Sequence, residues 1–215
     1  LDVFADLFAS TLPESARVEC QYDGYRGSIK ATWHDRTAAD QFGVGQAVTV
    51  GICGRTADDG TGRWAFSAAI EWARCRNLSI DTRSIEVDSG RHVGEIAPRV
   101  EQALKGSLSR IRPFVDAWTS AEKQQIIEDG KSPVEVFTAL VDRGYVPTAG
   151  SGMTKEDLVK SLVNAYGFEP GYSKASVLNA VTRAAHTNTW KSKWYQEELE
   201  QTSGKLVYAR LHLAE

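Results

Sequence analysis

The chain has 215 residues, 42% hydrophobic and 25% charged, with a net charge of -3 and six Trp, seven Tyr and seven Phe. This is an ordinary globular composition: it excludes wholesale disorder and an overall polycation, and at roughly 100–200 residues per domain it suits one large domain or two small ones. No window approaches the about 18 uninterrupted apolar residues of a membrane span, and the first residues lack the basic-then-apolar build of a signal peptide. Leu1 in place of Met is what a trimmed chain would show. Cys20, Cys53 and Cys75 cannot all pair with one another, and each lies in strand-like text. Buried free thiols in a reducing cytoplasm are therefore expected rather than a disulfide framework.

Residues 2–12 predict a short helix ended by Pro13, with Val3, Phe4, Leu7 and Phe8 at helical spacing. From Ala16, Val18, Cys20 and Tyr22 alternate with Arg17, Glu19 and Gln21; after Asp23-Gly24 the alternation resumes through His34. Asp-Gly between alternating runs predicts a hairpin with a two-residue tip, because that turn needs residues tolerant of positive φ. Residues 47–53 predict a third strand and residues 63–72 a fourth, with residues 57–62 as the hairpin tip between them. Trp64, Phe66, Ala68, Ile70 and Trp72 share one face of the fourth strand. Consecutive hairpins imply an antiparallel meander with one face covered.

From Arg91 the periodicity becomes helical. Val93, Ile96, Val100, Leu104, Leu108, Ile111, Val115 and Trp118 recur at three- and four-residue steps, and Pro113 is expected to kink or interrupt the helix. Trp64, Phe66, Ile70 and Trp72 are expected to face this helix through Val100, Leu104 and Leu108. Further helices are expected from after Ser120 to near Gly130, from Ser132 to Gly144, from Thr154, over 174–187 and over 191–200, then a strand over 205–213. Ser132 with Pro133, and Thr154 with Asp157, have the chemistry of helix N-termini. The expected fold is α+β: an antiparallel β-meander packed on a long helix, followed by a C-terminal helical region. Residues 1–90 form the β-rich part and 91–215 the helical part, packed together as one domain.

No phosphate loop, Gly-x-Ser-x-Gly elbow or His-Glu-x-x-His motif is present, so a catalytic role is not expected. His34, His92, His186, His212 and the cysteines lack the spacings by which one element presents two metal ligands, and no metal or cofactor is expected. Asn179, Thr182, Arg183 and His186 share one helix face, at i, i+3, i+4 and i+7. Short hydrogen-bonding groups of this kind suit either a structural network between elements or a binding face. Residues 61–112 hold nine Lys/Arg against six Asp/Glu, so basic residues concentrate at the sheet-to-helix transition.

Gly60-Thr61-Gly62, Arg74-Cys75-Arg76-Asn77-Leu78, Arg91-His92 and Asn179-Ala180-Val181-Thr182 with His186 four residues on are together similar to the phage- and plasmid-borne family of domain of unknown function 932. The chain departs from that pattern at Ala185, where an acidic residue is expected. The resemblance implies a mobile-element context in a bacterial cytoplasm and carries over no catalytic residue. It also gathers Asn77, His92, Asn179, Thr182, Arg183 and His186 into one expected polar cluster.

Two readings follow. The order helix, β-meander, long helix resembles annealing proteins that assemble into rings and lay single strands along a basic groove. On this reading Arg26, Lys30, Arg63, Arg74, Arg76 and Arg91 contact phosphates, Trp33 or Tyr25 stacks on bases, and the protein is a homo-oligomer. The alternative is an interaction module for a host or defence protein, docking through Trp190, Trp194 and Tyr195 as exposed aromatics.

Overall fold

The computed structural model describes residues 7–8, 10–22, 26–35, 48–57, 64–72, 77–82, 85–87, 96–127 and 132–211. Their strands are β1 (Arg17–Tyr22), β2 (Arg26–His34), β3 (Val48–Ala57), β4 (Trp64–Trp72), β5 (Asn77–Ile80) and β6 (Ile85–Val87). Their helices are α1 (Ile96–Leu108), α2 (Ile111–Lys123), α3 (Pro133–Asp142), α4 (Lys155–Tyr166), α5 (Lys174–Thr187) and α6 (Lys193–Leu206). Strands precede helices, and the class is α+β with an antiparallel sheet and a helical C-terminal region. Among the described residues no helix is long and apolar enough to cross a membrane. The chain divides into two compact units, Leu1–Glu71 with Arg83–Val115, and Trp72–Thr82 with Asp116–Glu215.

In the first unit β1, β2, β3 and β4 lie side by side in chain order, and β6 pairs antiparallel with β4. The first hairpin forms, but not in the expected register. Tyr22 pairs with Gly27, so four residues separate the paired ends and Asp23-Gly24 is not a two-residue tip; residues 23–25 themselves lie outside the described residues. The observed register sets Glu19 opposite Lys30 and Val18 opposite Ala31. A two-residue tip would have set Arg17 opposite Lys30, and like charges directly across a ladder are destabilising.

The covering of the sheet also differs from expectation. Residues 50–54 of β3 and 66–70 of β4 are buried on both faces. One face is built from large groups: Phe66 meets Phe8 at 6.2 Å between ring centroids, and a Cβ at Gly54 would lie 2.8 Å from both Phe66 and Ile29. The other carries Gly51, Cys53, Ser67 and Ala69, side chains with little polar surface to keep wet. Cys53 is accordingly buried, whereas Cys20, on edge strand β1, is exposed; Cys75 lies outside the described residues.

The helix α1 rests against β3 and β6. Val100 and Leu104 are fully buried, as are Phe66 and Ile70, while the Trp64 and Trp72 side chains lie outside the described residues. The single long helix is in fact two, interrupted at Ser109 and Arg110, one turn before Pro113. A proline ring collides with the carbonyl four residues earlier, and four residues before Pro113 is Ser109. Within α2 the missing N–H of Pro113 costs nothing, since it falls in the first turn.

The core of the second unit is built from Phe137, Leu140, Leu158, Leu162, Val177, Val181, Tyr195 and Leu199, with α5 packed on both α4 and α6. Its helix starts obey local chemistry. Ser132 accepts from the Glu135 N–H at 3.3 Å while the Glu135 carboxylate accepts from the Ser132 N–H at 2.8 Å. Thr154 accepts from the Asp157 N–H at 3.1 Å. Ser132→Ala is expected to lower stability by about 1 kcal/mol, measured as a shift in urea midpoint without a change of slope.

Three local expectations fail in this unit. Among the described residues no separate helix follows Ser120 before Ile127: α2 continues to Lys123, and Gln125 then bridges to Ser173. Residues 205–211 supply no strand, because α6 runs to Leu206 and residues 207–211 follow as turn and coil; 212 and 213 lie outside the described residues. Tyr195 is not an exposed anchor but fully buried, its hydroxyl donating to the Pro147 carbonyl, and Trp190 is half-buried with its indole N–H on the Ala185 carbonyl at 3.0 Å.

Candidate functional site

Four of the six expected cluster residues, Asn179, Thr182, Arg183 and His186, sit on α5 as the spacing requires, and the contacts of three are with their own unit. Thr182 is buried and donates to the Asn179 carbonyl one turn back, at 3.0 Å. Asn179 Oδ1 is buried with no hydrogen-bond partner. His186 Nε2 lies 3.0 Å from Glu200 Oε1, and its Nδ1 lies 3.3 Å from the Gln196 amide nitrogen. An amide that donates to Nδ1 leaves Nε2 to carry the proton toward Glu200, so both ring nitrogens are occupied. These contacts form a clasp between α5 and α6.

The other expected residues divide into three groups. His92, Arg63, Arg74, Arg76 and Arg91 lie outside the described residues. Asn77 opens β5, which packs on α5 and α6, and Arg26 opens β2; the side chains of both lie outside the described residues. Lys30 is held by Glu71 at 2.9 Å, and Glu71 also accepts from Thr49 at 3.3 Å. Of the two expected stacking rings, Trp33 is buried and Tyr25 lies outside the described residues. Among the described residues no group of three His, Cys, Asp or Glu side chains is placed to hold a metal ion.

Arg183 leads to a surface that the sequence did not disclose. Its guanidinium lies 5.0 Å from the Phe168 ring centroid and 3.2 Å from Glu169 Oε1. Phe168 and Tyr172, 69% and 63% exposed, are the most exposed large hydrophobic side chains among the described residues. They stand on the α4–α5 connection, residues 167–173, which is braced throughout. The Tyr166 hydroxyl accepts from the Gly171 N–H at 3.0 Å and donates to the Gly171 carbonyl at 2.7 Å. The Tyr172 carbonyl accepts from the N–H groups of Ile126 and Ile127 at 2.8 and 3.1 Å, and the Lys174 N–H donates to the Gln124 carbonyl at 2.7 Å. Ser173 caps α5 by accepting from the Ser176 N–H at 3.2 Å. Two large rings are thus held in water by a rigid pedestal.

No family model, curated protein or solved structure matches the chain. The site is therefore known by its own chemistry: two exposed π faces, one guanidinium stacked on the first of them, and one carboxylate that pairs with it. A sequence signal existed. Phe168-Glu169-Pro170-Gly171-Tyr172 places two aromatics in a Pro/Gly connection between capped helices, where no core-facing periodicity accounts for them.

At the far side of α5's first turn, Lys174 is only 2% exposed, and its ammonium donates to the carbonyls of Val207 and Ala209 at 2.8 and 2.7 Å. These are carbonyls left over beyond the end of α6, where a cation is favoured. Burial pulls the Lys174 pKa down from 10.5 to about 8.

Proposed function

We propose that this protein is a non-catalytic binder of single-stranded nucleic acid from a phage or other mobile element, acting in strand annealing or recombination in the bacterial cytoplasm. The observation that carries the reading is the Phe168–Tyr172 pair on its braced loop, with Arg183 over the Phe168 ring. Every base has a π face, so exposed rings bind single strands without reading sequence, and a guanidinium adds a cation–π contribution. The bracing matters because a loop that is already ordered loses little entropy when a strand binds. The resemblance to phage- and plasmid-borne proteins and the local excess of basic residues over 61–112 support the same reading; Arg74 and Arg76 are the candidate phosphate contacts within the second unit.

The test is anisotropy titration of a labelled single-stranded oligonucleotide over a salt series. Binding that weakens as salt rises is the expected result. Phe168→Ala and Tyr172→Ala are each expected to weaken it by about 5- to 150-fold, since stacking contributes about 1–3 kcal/mol per base, with the melting temperature unchanged because both rings are exposed. Absence of salt-sensitive binding, or variants that bind like the parent chain, overturns the reading. The same two rings suit a protein hot spot. Salt-independent capture of a host or defence protein, lost in the two variants, would assign the surface to that role.

A further inference from the structure

Strand β1 is the outermost strand of its sheet and, among the described residues, pairs only with β2. Arg17, Val18, Glu19, Cys20 and Gln21 are all exposed, Val18 at 46%. An open edge is a template for another strand, and natural edges are blocked by proline, by a bulge or by charges that repel a newcomer. The sequence Arg-Val-Glu-Cys-Gln-Tyr contains no proline, and its six consecutive pairs with β2 leave no room for a bulge. Its charges are one cation and one anion two residues apart, Arg17 and Glu19, joined at 2.7 Å on one face.

We infer that β1 pairs antiparallel with β1 of a second copy of this chain, about a two-fold axis at Val18. A two-fold axis normal to the sheet keeps each side chain on its own face, so the axis must pass through a residue position. Centring on Glu19 sets two carboxylates directly against each other, which is destabilising. Centring on Cys20 leaves Glu19 opposite Gln21 and sets Arg17 opposite position 23, beyond the end of β1 at Tyr22, so that no charge pair forms within the paired strands. Centring on Val18 sets Arg17 opposite Glu19 of the second copy, and does so twice, while the two exposed Val18 side chains meet on the axis. Charges that would block a like-charged strand here choose the register. The contact is isologous, uses up both edges and closes at two copies. A single pair of edge strands buries far less than a standard interface, so the dimer is weak and concentration-dependent.

The experiment is sedimentation equilibrium of the full 215-residue chain from about 5 to about 300 µM, a range that spans weak association. A reversible rise toward twice the monomer mass is expected. Arg17→Glu alone and Glu19→Arg alone each convert two attractive pairs into two repulsive ones and should weaken the dimer about tenfold or more, while the double variant Arg17→Glu/Glu19→Arg restores it. Register is read separately. Two position-18 side chains on the axis are within disulfide reach, so Val18→Cys should cross-link between copies on mild oxidation. Native Cys20 should not, because its counterpart is displaced by about 13 Å along the strand. All the substituted residues are exposed, and unchanged circular dichroism verifies the fold. A single-chain mass throughout, a dimer that survives both single reversals, or an intermolecular disulfide at Cys20 overturns the inference.

Discussion

Gly204→Ala is expected to destabilise the second unit by about 3 kcal/mol or more, at or beyond the upper end of what overpacking costs. Gly204 lies in α6 where that helix crosses β5. A Cβ there would sit inside van der Waals contact of the Ile80 carbonyl oxygen, 2.5 Å from the Ile80 carbonyl carbon and 3.2 Å from the Asp81 nitrogen. All three are main-chain atoms of the strand and its end, so no side chain can swing aside. The neighbouring Ser203 hydroxyl donates to Ser79 at 2.8 Å, which fixes the helix at this separation. In an exposed helix interior the same change would stabilise by about 1 kcal/mol, because glycine is the poorer helix former. The sign therefore reports the packing directly. Urea unfolding gives the stability, and hydrogen exchange should show faster opening at residues 77–81 and 200–206. A midpoint equal to or above that of the parent chain would mean that α6 and β5 do not approach this closely.

The stability of the second unit is expected to rise with pH between about 8 and 10.5, by about 3 kcal/mol in all, through Lys174. Below pH 8 both the folded and the unfolded chain carry the proton, and the cost of burying the ammonium is felt in full. Between the two pKa values the unfolded chain holds the proton and the folded chain does not, so raising the pH favours folding. Above 10.5 both are neutral and the gain is complete. Tyr195 works the other way: burial, and then the charge of Glu198, raises its pKa above the usual 10.0, so stability is lost once the unfolded phenol ionises. Comparing the parent chain with Lys174→Met isolates the lysine. The variant should lack the rise, and its baseline should fall, because the carbonyls of Val207 and Ala209 lose their donor. Equal slopes for the two proteins over this range would show that Lys174 is not buried as a cation.

Much of the helical half was legible because its signals act within one turn. Ser132, Thr154 and Ser173 satisfy N–H groups three residues ahead, and no distant contact is needed to read them. The span of α5 and the shared face of Asn179, Thr182, Arg183 and His186 came from the same short range. What that face does was not legible. Glu200, which meets His186, and Glu169, which meets Arg183, are 14 residues away in opposite directions, and the choice between clasp and binding face rested on them.

The aromatic residues mark the limit most clearly. Phe168 and Tyr195 are both large rings in polar text, yet one stands in water and the other is sealed in the core. Composition alone determined that this protein could build a core, and local spacing marked β1 to β4 as strands and α3 to α6 as helices. Tertiary structure decided the register of β1 on β2, the buried cation at Lys174 and the exposed pair Phe168 and Tyr172. Propensity, alternation and capping are settled by neighbours one to four residues away, whereas register, burial and exposure are set by whichever distant residues pack alongside.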